Sequence, residues 1–411
     1  MKKKLNVLYW MLYDFANTIY SMNVVSLYFA LWITVDKKGE DIFYSIALSV
    51  SMIMAAILEP LTGAMSDIHG RKIPFLLVFT LVCCVATGLI GTASTLVIGL
   101  IFFAIANTAY EAANVFYNAL LYDISTKENI GRISGYGVGL GYIGTIFGLL
   151  MVKPFVVAGG RQSAFIPTSI LFFLFSVPCL FLIREPIPAE KKIFKIEIKK
   201  ALQRIKDTFR QSQKYPGVIR FVLAAFVFFN AINTCIIFMS VYTKKVIGFS
   251  DPEMVTFYII STTFAILGSF LFGFLTDRLG AKKALSISLG IWLTGLTIAM
   301  LTASRGIFYL VGPLVGIGLG STWVSSRALA VQIAPEGKIG EIFGLYGLAG
   351  KSSAILGSLV WGITVLAFGF LGLFKYRIAI FVQCLFIIIG WFILRGVPYG
   401  NRHGASTVEV L

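Results

Sequence analysis

Long apolar runs separated by short polar segments occupy the chain from end to end. A helix needs about 20 mostly apolar residues to cross a bilayer, and twelve runs qualify. They lie at residues 7–34, 42–64, 74–92, 96–124, 132–158, 164–183, 218–243, 253–276, 284–303, 307–334, 342–368 and 377–394. The pattern predicts an all-α integral membrane protein with twelve transmembrane helices.

The polar turns between the runs contain a repeat at half the length of the chain. Residues 63–72 return 210 positions later as residues 273–282, with an aspartate between two glycines in both copies. Residues 118–148 also align with residues 327–357 at an offset of 209. Parallel repeats of this kind are typical of secondary transporters built from two six-helix halves. We therefore predict two pseudo-symmetric six-helix bundles with a substrate path between them.

The longest hydrophilic stretch separates these halves. Apolar residues recur in it at helical spacing, and lysines and arginines occupy the other positions. This favours a basic amphipathic helix lying on an anionic bilayer surface; the alternative is a solvated linker that only joins the halves. The predicted domains are an N-terminal bundle (1–183), a cytoplasmic linker (184–217) and a C-terminal bundle with a short cytoplasmic tail (218–411).

Composition supports a membrane location and argues against nucleic acid as a partner. Hydrophobic residues make up 57% of the chain and charged residues 13%, whereas soluble domains average about 25% charged residues. Most of the lysines and arginines behind the net charge of +16 fall in segments on the side of the N-terminus. Because positive charge accumulates on cytoplasmic loops, we expect both termini to be cytoplasmic.

Five charged residues interrupt the apolar runs. Asp14, Glu59 and Glu111 lie in the N-terminal half, and Arg327 and Lys351 lie in the C-terminal half. A charge near the bilayer centre costs about 2.5–3.5 kcal/mol on insertion scales, so such residues are candidates for function. A path between the halves would have one acidic and one basic wall.

Amides accompany these charges at helical spacing, and such polar stripes are not expected to face lipid. We predict that the charges and amides form the substrate or coupling site. Its members are Asp14, Asn17, Asn107, Glu111, Asn114, Asn118, Asn230, Asn233, Arg327 and Lys351.

These residue types suit a zwitterionic or polar small solute. Arg327 can hold a carboxylate through two parallel hydrogen bonds, Lys351 adds a positive charge, and Asp14 or Glu111 can meet an ammonium group. Either acid can also exchange a proton, and sodium held by Asp14 and Asn17 is the alternative coupling ion. In the structural alternative, Arg327 pairs with Asp14 or another acid between the halves, or bonds carbonyls at a helix end.

Other chemistries find little support. The sequence has no evident nucleophile–base cluster, its five cysteines all lie in apolar runs, and its two histidines lie in a turn and a tail. We therefore expect no enzyme activity, metal site or cofactor. A non-transporting membrane sensor is the alternative from another class.

The repeated turn resembles the signature of the major facilitator superfamily, Gly-x-x-x-Asp-x-x-Gly followed by basic residues, in which the aspartate pairs with basic residues and stabilises one conformation. The resemblance implies alternating access. We expect a monomer, because the fold does not need a partner to close its path. The resemblance also implies a set of gating residues, to which we add Glu59 as a neighbouring ion-pair candidate. The set is Glu59, Gly63, Asp67, Gly70, Arg71, Lys72, Gly273, Asp277, Arg278 and Gly280.

A narrower resemblance begins at residues 13–17, Tyr-Asp-Phe-Ala-Asn, and extends to residues 115–119, 134–142 and 343–351. These segments are similar to those of the vacuolar amino-acid effluxers linked to autophagy and their bacterial relatives. The chain departs from that pattern at Asn230, where an acid is common, and at Glu111, where a neutral amide is common. The resemblance implies proton-coupled export of an amino-acid-like solute, here across a bacterial cytoplasmic membrane. The alternative is efflux of drugs or lysolipids, favoured by the 36 phenylalanines.

Overall fold

The computed structural model describes residues 2–69, 71–124, 130–183, 185, 216–333 and 339–398. These residues are mainly helical, and they include twelve helices long and apolar enough to cross a membrane. The prediction of an all-α membrane protein is confirmed. The predicted linker lies outside the described residues, apart from positions 185, 216 and 217.

The first half contains six long helices. The first helix, α1, continues beyond its α-helical part. A π-helical stretch at Ser21–Tyr28 is followed by an α-helical turn at Phe29–Leu31 and a π-helical turn at Trp32–Asp36. Separately, a 3₁₀ turn at Arg161–Ala164 precedes α6. The helices are α1 (Lys2–Tyr20), α2 (Asp41–His69), α3 (Ile73–Ile90), α4 (Leu96–Ile124), α5 (Ile130–Gly159) and α6 (Phe165–Leu182).

The second half repeats this order. A π-helical turn at Thr243–Ile247 extends its first helix, a short helix at Arg305–Phe308 precedes the fourth, and a 3₁₀ turn at Gly369–Leu371 precedes the last. The helices are α7 (Pro216–Tyr242), α8 (Asp251–Leu279), α9 (Ala281–Leu301), α10 (Val311–Ile333), α11 (Ile339–Ala367) and α12 (Phe374–Arg395).

Helix packing follows the repeat. Helix α1 packs on α5 and α6, and α7 packs in the same way on α11 and α12. The π-helical turns Trp32–Asp36 and Thr243–Ile247 lie 211 positions apart, close to the offset of the sequence repeat. The two halves meet along two edges, α2 against α11 and α5 against α8. We call the face where α1 begins the N face and the opposite one the far face.

Several glycines of the sequence repeat let helices approach closely, as small residues do in membrane bundles. A methyl group at Gly144 of α5 would lie 2.9 Å from the Cα of Phe15 in α1, and one at Gly148 would lie 3.0 Å from the Asn23 amide nitrogen. Gly139 on the same helix has nothing within 4 Å. Close packing therefore explains some of these glycines, and others border open space.

The signature turns begin later than the sequence suggests. Asp67 and Asp277 belong to the last turns of α2 and α8, which end at His69 and Leu279. In the second motif, the turn forms at Gly280, the residue after the end of α8. Its φ of 85° favours glycine. The side chains of Glu59 and Asp67 and all of Gly70 lie outside the described parts of the chain.

Candidate functional site

A cavity of about 600 Å³ lies between the two halves. Helices α1 and α5 form one wall, and α8 and α10 form the other. Its lining residues are Asp14, Thr18, Val138, Gly139, Tyr142, Ile266, Ser269, Phe270, Trp323, Val324 and Arg327. Most of these residues are apolar, and the two charged ones are Asp14 and Arg327.

Asp14 supplies the acidic group of the cavity. Helix α1 holds it against α5, where a methyl group at Gly141 would lie 3.2 Å from an Asp14 carboxylate oxygen. One turn further along α1, the Thr18 hydroxyl donates a hydrogen bond to the Gly141 carbonyl oxygen at 2.5 Å. The absence of a side chain at Gly141 therefore lets the carboxylate lie directly against α5.

Arg327 supplies the basic group from the opposite wall. Its guanidinium lies 5.7 Å from the centre of the Trp323 ring, one turn earlier on α10, in a cation–π contact. Arg327 and Asp14 attract each other electrostatically across the cavity. The cavity therefore presents opposite charges from the two halves, as the sequence predicts for the path.

The depth of the cavity follows from helix positions. Asp14 lies twelve residues after the start of α1 and Arg327 six residues before the end of α10. At about 1.5 Å per residue these positions are roughly 18 Å and 9 Å from the N face. The charged part of the cavity thus lies on the N-face side of the molecule.

The predicted stripe on α4 is divided among different environments. The Asn107 amide donates to the Ser51 hydroxyl of α2 at 2.8 Å. The Asn17 amide donates to the Asn114 side-chain oxygen, also at 2.8 Å. Glu111 is half-buried and Asn118 is exposed. The four predicted residues of α4 and Asn17 of α1 are not among those that line the described cavity.

The predicted residues of α7 and α11 lie at the contact between these two helices. The Asn233 amide donates to the Gly350 carbonyl oxygen at 3.2 Å and to the Ser353 hydroxyl at 3.1 Å. Asn230 is fully buried against Gly357. Lys351 is half-buried and does not line the described cavity. The structure thus places Asp14 and Arg327 on one cavity, and the other predicted site residues are not among those that line it.

Sequence reasoning missed the other nine lining residues, four of which have side chains that can form hydrogen bonds: Thr18, Tyr142, Ser269 and Trp323. Helical spacing could have found two of them, because Thr18 and Trp323 each lie one turn from a predicted charge. Tyr142 and Ser269 carry no such signal, since a tyrosine or serine in a membrane helix is common.

On the far face, a first cluster of charges joins the halves along the α5–α8 edge. Arg161, just after α5, forms an ion pair with Asp36 at the end of the π-helical turn of α1. The same guanidinium lies 2.9 Å from a carboxylate oxygen of Asp251 in α8, which also accepts a bond from Lys244 at 2.7 Å. Two acids and two bases from both halves therefore form one network.

A second cluster joins the halves along the α2–α11 edge. Its centre is Asp41, which accepts hydrogen bonds from the Trp361 indole and the Tyr376 hydroxyl, each at 3.1 Å. Lys245 lies 3.7 Å away. Nearby, the Ser49 and Ser358 hydroxyl oxygens are 3.3 Å apart. We call the two clusters together the far gate, because they join the two halves across this face.

The predicted gating residues of the N face have more local contacts. The Lys72 ammonium pairs with Asp123 at 2.6 Å, and Glu185 accepts the backbone N–H groups of Lys72 and Ile73, at 2.5 and 3.1 Å. Glu185 thereby caps the start of α3. Arg71, Asp277 and Arg278 are exposed, and Gly273 has no atom within 4 Å of an added methyl group.

This fold, with a cavity between two six-helix halves and charge clusters that join the halves across one face, is that of a membrane transporter of the major facilitator type. Within that class, the chain belongs to the family described as "Vacuole effluxer Atg22 like", whose sequence model matches residues 35–402. Both resemblances inferred from the sequence are confirmed.

Relatives support this assignment. The chain is 25% identical to the uncharacterized MFS-type transporter YxiO of Bacillus subtilis, over 95% of this chain and 94% of that protein. It is 24% identical to Autophagy-related protein 22 of Kluyveromyces lactis, over 73% of this chain and 67% of that protein.

Solved structures share the fold at 14% identity. A bacterial homologue of the human lysosomal transporter Spinster, inward-facing and unoccupied, has a TM-score of 0.71 over 96% of both chains. The nucleoside transporter NupG has a TM-score of 0.71 over 96% of this chain and 98% of that one.

Proposed function

We propose that this transporter is a secondary carrier that exports a small zwitterionic, amino-acid-like solute by alternating access. One observation carries the proposal: Asp14 and Arg327 face the same cavity from opposite halves. A zwitterion placed between them would meet a cation with its carboxylate and an anion with its ammonium group. Its binding would therefore couple the two halves.

The remaining lining argues for an apolar side chain on the solute. Around the two charges the cavity is mainly apolar, with Trp323, Phe270 and Ile266 on the wall of the second half. Small-molecule sites typically combine such a lining with a few polar groups that fix orientation. The guanidinium fork of Arg327 suits a carboxylate, since it can form two parallel hydrogen bonds.

Coupling to protons follows from the same acid. A proton and a substrate ammonium group compete for the Asp14 carboxylate, and two ligands that compete for one group exchange against each other. This supports proton antiport, with Glu111 as a second candidate for proton binding and sodium as the alternative ion. Exchange of this type drives export when the medium beyond the far face is more acidic.

Orientation and location complete the proposal. Positive charge accumulates on cytoplasmic loops, so we assign the N face, where α1 begins and α12 ends, to the cytoplasm and expect the basic linker on the same side. The linker would then meet anionic lipids of a bacterial cytoplasmic membrane. The carrier is proposed to work as a monomer, because one chain supplies both walls of the cavity.

Flux in proteoliposomes tests the proposal. Labelled neutral amino acids with apolar side chains would be compared with matched amines that lack the carboxylate and acids that lack the amine, with and without a pH gradient. We expect gradient-driven flux of the zwitterions only. Asp14→Asn and Arg327→Gln should each lower it about 10- to 100-fold, because a hydrogen bond to a charged group contributes about 1.5–3 kcal/mol.

Two further variants make the test specific. Arg305→Gln serves as the matched control, because this arginine is exposed on the far face, with 57% of its side chain accessible. Flux that survives both cavity substitutions contradicts the proposed site. Glu111→Gln separates roles, since unchanged flux would make that glutamate structural and leave the carrier intact.

An amphipathic substrate is the second candidate function. The cavity reaches two accessible apolar side chains at the α5–α8 edge, Val138 at 37% and Phe270 at 70% exposure. A lysolipid could place its chain along them and its headgroup between the charges. Transport of fluorescent lysolipids, without flux of any amino acid in correctly folded protein, would favour this function.

A further inference from the structure

A buried tyrosine of α4 lies behind the acidic group of the cavity. Tyr117 is only 4% exposed and does not line the cavity itself. Its ring stacks on two rings of α1, with centroids 4.6 Å from Trp10 and 5.2 Å from Tyr13. The Trp10 indole N–H also donates to the Tyr117 carbonyl oxygen at 2.9 Å. These contacts fix the Tyr117 ring against the helix that carries Asp14.

The Tyr117 hydroxyl lies where α1, α4 and α5 meet. A methyl group at Gly137 of α5 would lie 3.3 Å from the hydroxyl oxygen. One turn further along α5, a methyl group at Gly141 would lie 3.2 Å from a carboxylate oxygen of Asp14. Residues four apart share a helix face, so the hydroxyl and the carboxylate lie along the same face of α5. The two groups also act on each other at short range.

This hydroxyl lacks the hydrogen-bond partner that a buried polar group normally has. Among the described residues, no group pairs with the buried Tyr117 hydroxyl oxygen. The hydroxyl of the neighbouring Tyr13, by contrast, shares a hydrogen bond with Thr80 of α3, with the oxygens 2.6 Å apart. Asp14 is a nearby acceptor for Tyr117, and rotation about its side-chain bonds can bring the two groups into alignment.

Three segments of the narrower family resemblance meet at this position. Residues 13–17 supply the carboxylate and one stacked ring, residues 115–119 supply the buried tyrosine, and residues 134–142 supply both glycines. A methyl group at Gly137 would lie 2.6 Å from the Trp10 ring, so a larger residue would displace the stack. Segments that are far apart in the sequence thus build one structure around a single carboxylate.

We propose that Tyr117 is a positioning residue for the ammonium group of the substrate. Its hydroxyl donates to one oxygen of the Asp14 carboxylate when the ammonium group binds the other oxygen. This inference rests on the proposed function, because it takes Asp14 as the group that meets the ammonium.

The energetic argument follows from the state of the hydroxyl before and after binding. An unpaired buried polar group is unfavourable, and here it gains a partner only when the site is occupied, so the new bond favours the occupied state. The bond is also charge-assisted, which makes it stronger than a bond between neutral groups. Tyr117 and Asp14 belong to the same half, so their bond can persist while the distance to Arg327 in the other half changes.

A double-mutant cycle in proteoliposomes tests this role. Initial rates of flux of a labelled neutral amino acid with an apolar side chain would be measured for Tyr117→Phe, Asp14→Ala and the double variant. Tyr117→Phe keeps the stacked ring, so we expect it to lower kcat/KM about tenfold, mainly through KM, as for one hydrogen bond to a charged group. In the Asp14→Ala background the same change should alter kcat/KM less than about twofold, because the acceptor is already absent.

Tyr13→Phe is the matched control, because it removes a hydroxyl from the same stack that bonds Thr80 instead. In the empty protein, Tyr13→Phe should lower the thermal unfolding midpoint and leave KM unchanged. Tyr117→Phe should do the reverse, because its hydroxyl has no partner to lose in that state. A merely structural role for Tyr117 would give the same pattern as the control.

The outcomes separate the inference from the proposed function. An unchanged KM in Tyr117→Phe, an equal effect with and without Asp14, or an equal rise of KM in Tyr13→Phe overturns the inference and leaves the transport proposal in place. Flux that is unaffected by Asp14→Ala, or no flux of any amino acid in correctly folded protein, contradicts the proposed function and the inference with it.

Discussion

Replacing Gly144 by alanine tests whether close contact between α1 and α5 stabilises the wall that holds Asp14. The new methyl group would lie 2.9 Å from the Cα of Phe15 and 2.7 Å from the Thr18 hydroxyl oxygen. Carbon atoms in good contact are about 3.5–4.0 Å apart, so α1 must move away by roughly 1 Å. Because the obstacle includes backbone, a change of rotamer cannot relieve it.

The size of the effect follows from two opposing contributions. Overpacking costs about 1–3 kcal/mol, and alanine in place of glycine in a helix interior returns about 0.5–1 kcal/mol. Gly144→Ala should therefore lower the free energy of unfolding by about 1–2 kcal/mol. Gly139→Ala, with nothing within 4 Å on the same helix, should receive only the gain.

Thermal unfolding of both variants in one detergent, followed by tryptophan fluorescence, measures the difference. At about 2–4 °C per kcal/mol for a domain the size of one half, Gly144→Ala should unfold roughly 4–8 °C below Gly139→Ala. Equal midpoints, or a higher midpoint for Gly144→Ala, would refute the packing argument. Glycine would then serve bending at this position.

Three further outcomes are expected. Arg161→Gln should open the far face, because two acids at the α5–α8 edge lose their shared cation. Alkylation of a cysteine introduced behind the gate should then become faster. An unchanged rate would show that the second cluster alone keeps the two halves in contact. Glu185→Gln should destabilise the protein by about 1 kcal/mol, since a charge that caps the start of α3 is lost; the exposed Arg305→Gln gives the baseline in the same unfolding assay. Asn17→Ala and Asn114→Ala should show a coupling energy of about 1 kcal/mol in a double-mutant cycle, the usual net value of one hydrogen bond, and additive effects would mean that their contact contributes nothing.

The fold was predictable because its signals are long. Twelve apolar runs match twelve helices, and the repeated motifs identify the two halves. Within the described ranges the differences lie at helix ends, as at Asp67, which belongs to α2 although its glycine and lysine neighbours suggest a turn. The backbone hydrogen bonds of a helix can continue into polar residues. The polarity of a residue therefore does not predict where the helix ends.

The candidate site was only partly predictable. A polar residue in an apolar run indicates that its helix face avoids lipid, but it does not say which neighbour it meets. Asp14 and Arg327 line the same cavity from opposite halves, whereas Asn107 and Asn233 form hydrogen bonds to adjacent helices. The roles of Glu111 and of the other candidates stay predictions.

The far gate was missed for a physical reason. Its charged residues lie at the ends of the predicted spans, where water or headgroups would normally solvate them and charge costs little. Asp41 and Lys245 therefore look like ordinary loop residues in the sequence. The packing of α2 against α11, together with Tyr376 of α12, excludes solvent from Asp41 and leaves Lys245 partly accessible.

Asp41 and Asp251 are the first residues of α2 and α8 and lie 210 positions apart, the offset of the signature motifs, so they hold equivalent places in the two halves. An assembly of two identical halves would close its two edges with the same contacts, since symmetry forces every contact to occur twice. In this chain one edge uses an arginine between two acids, and the other uses a lysine, a tyrosine and a tryptophan around one acid. Because both halves belong to one chain, a substitution at one edge leaves the residues of the other edge unchanged. Selection could then adjust how readily one edge opens without altering the other.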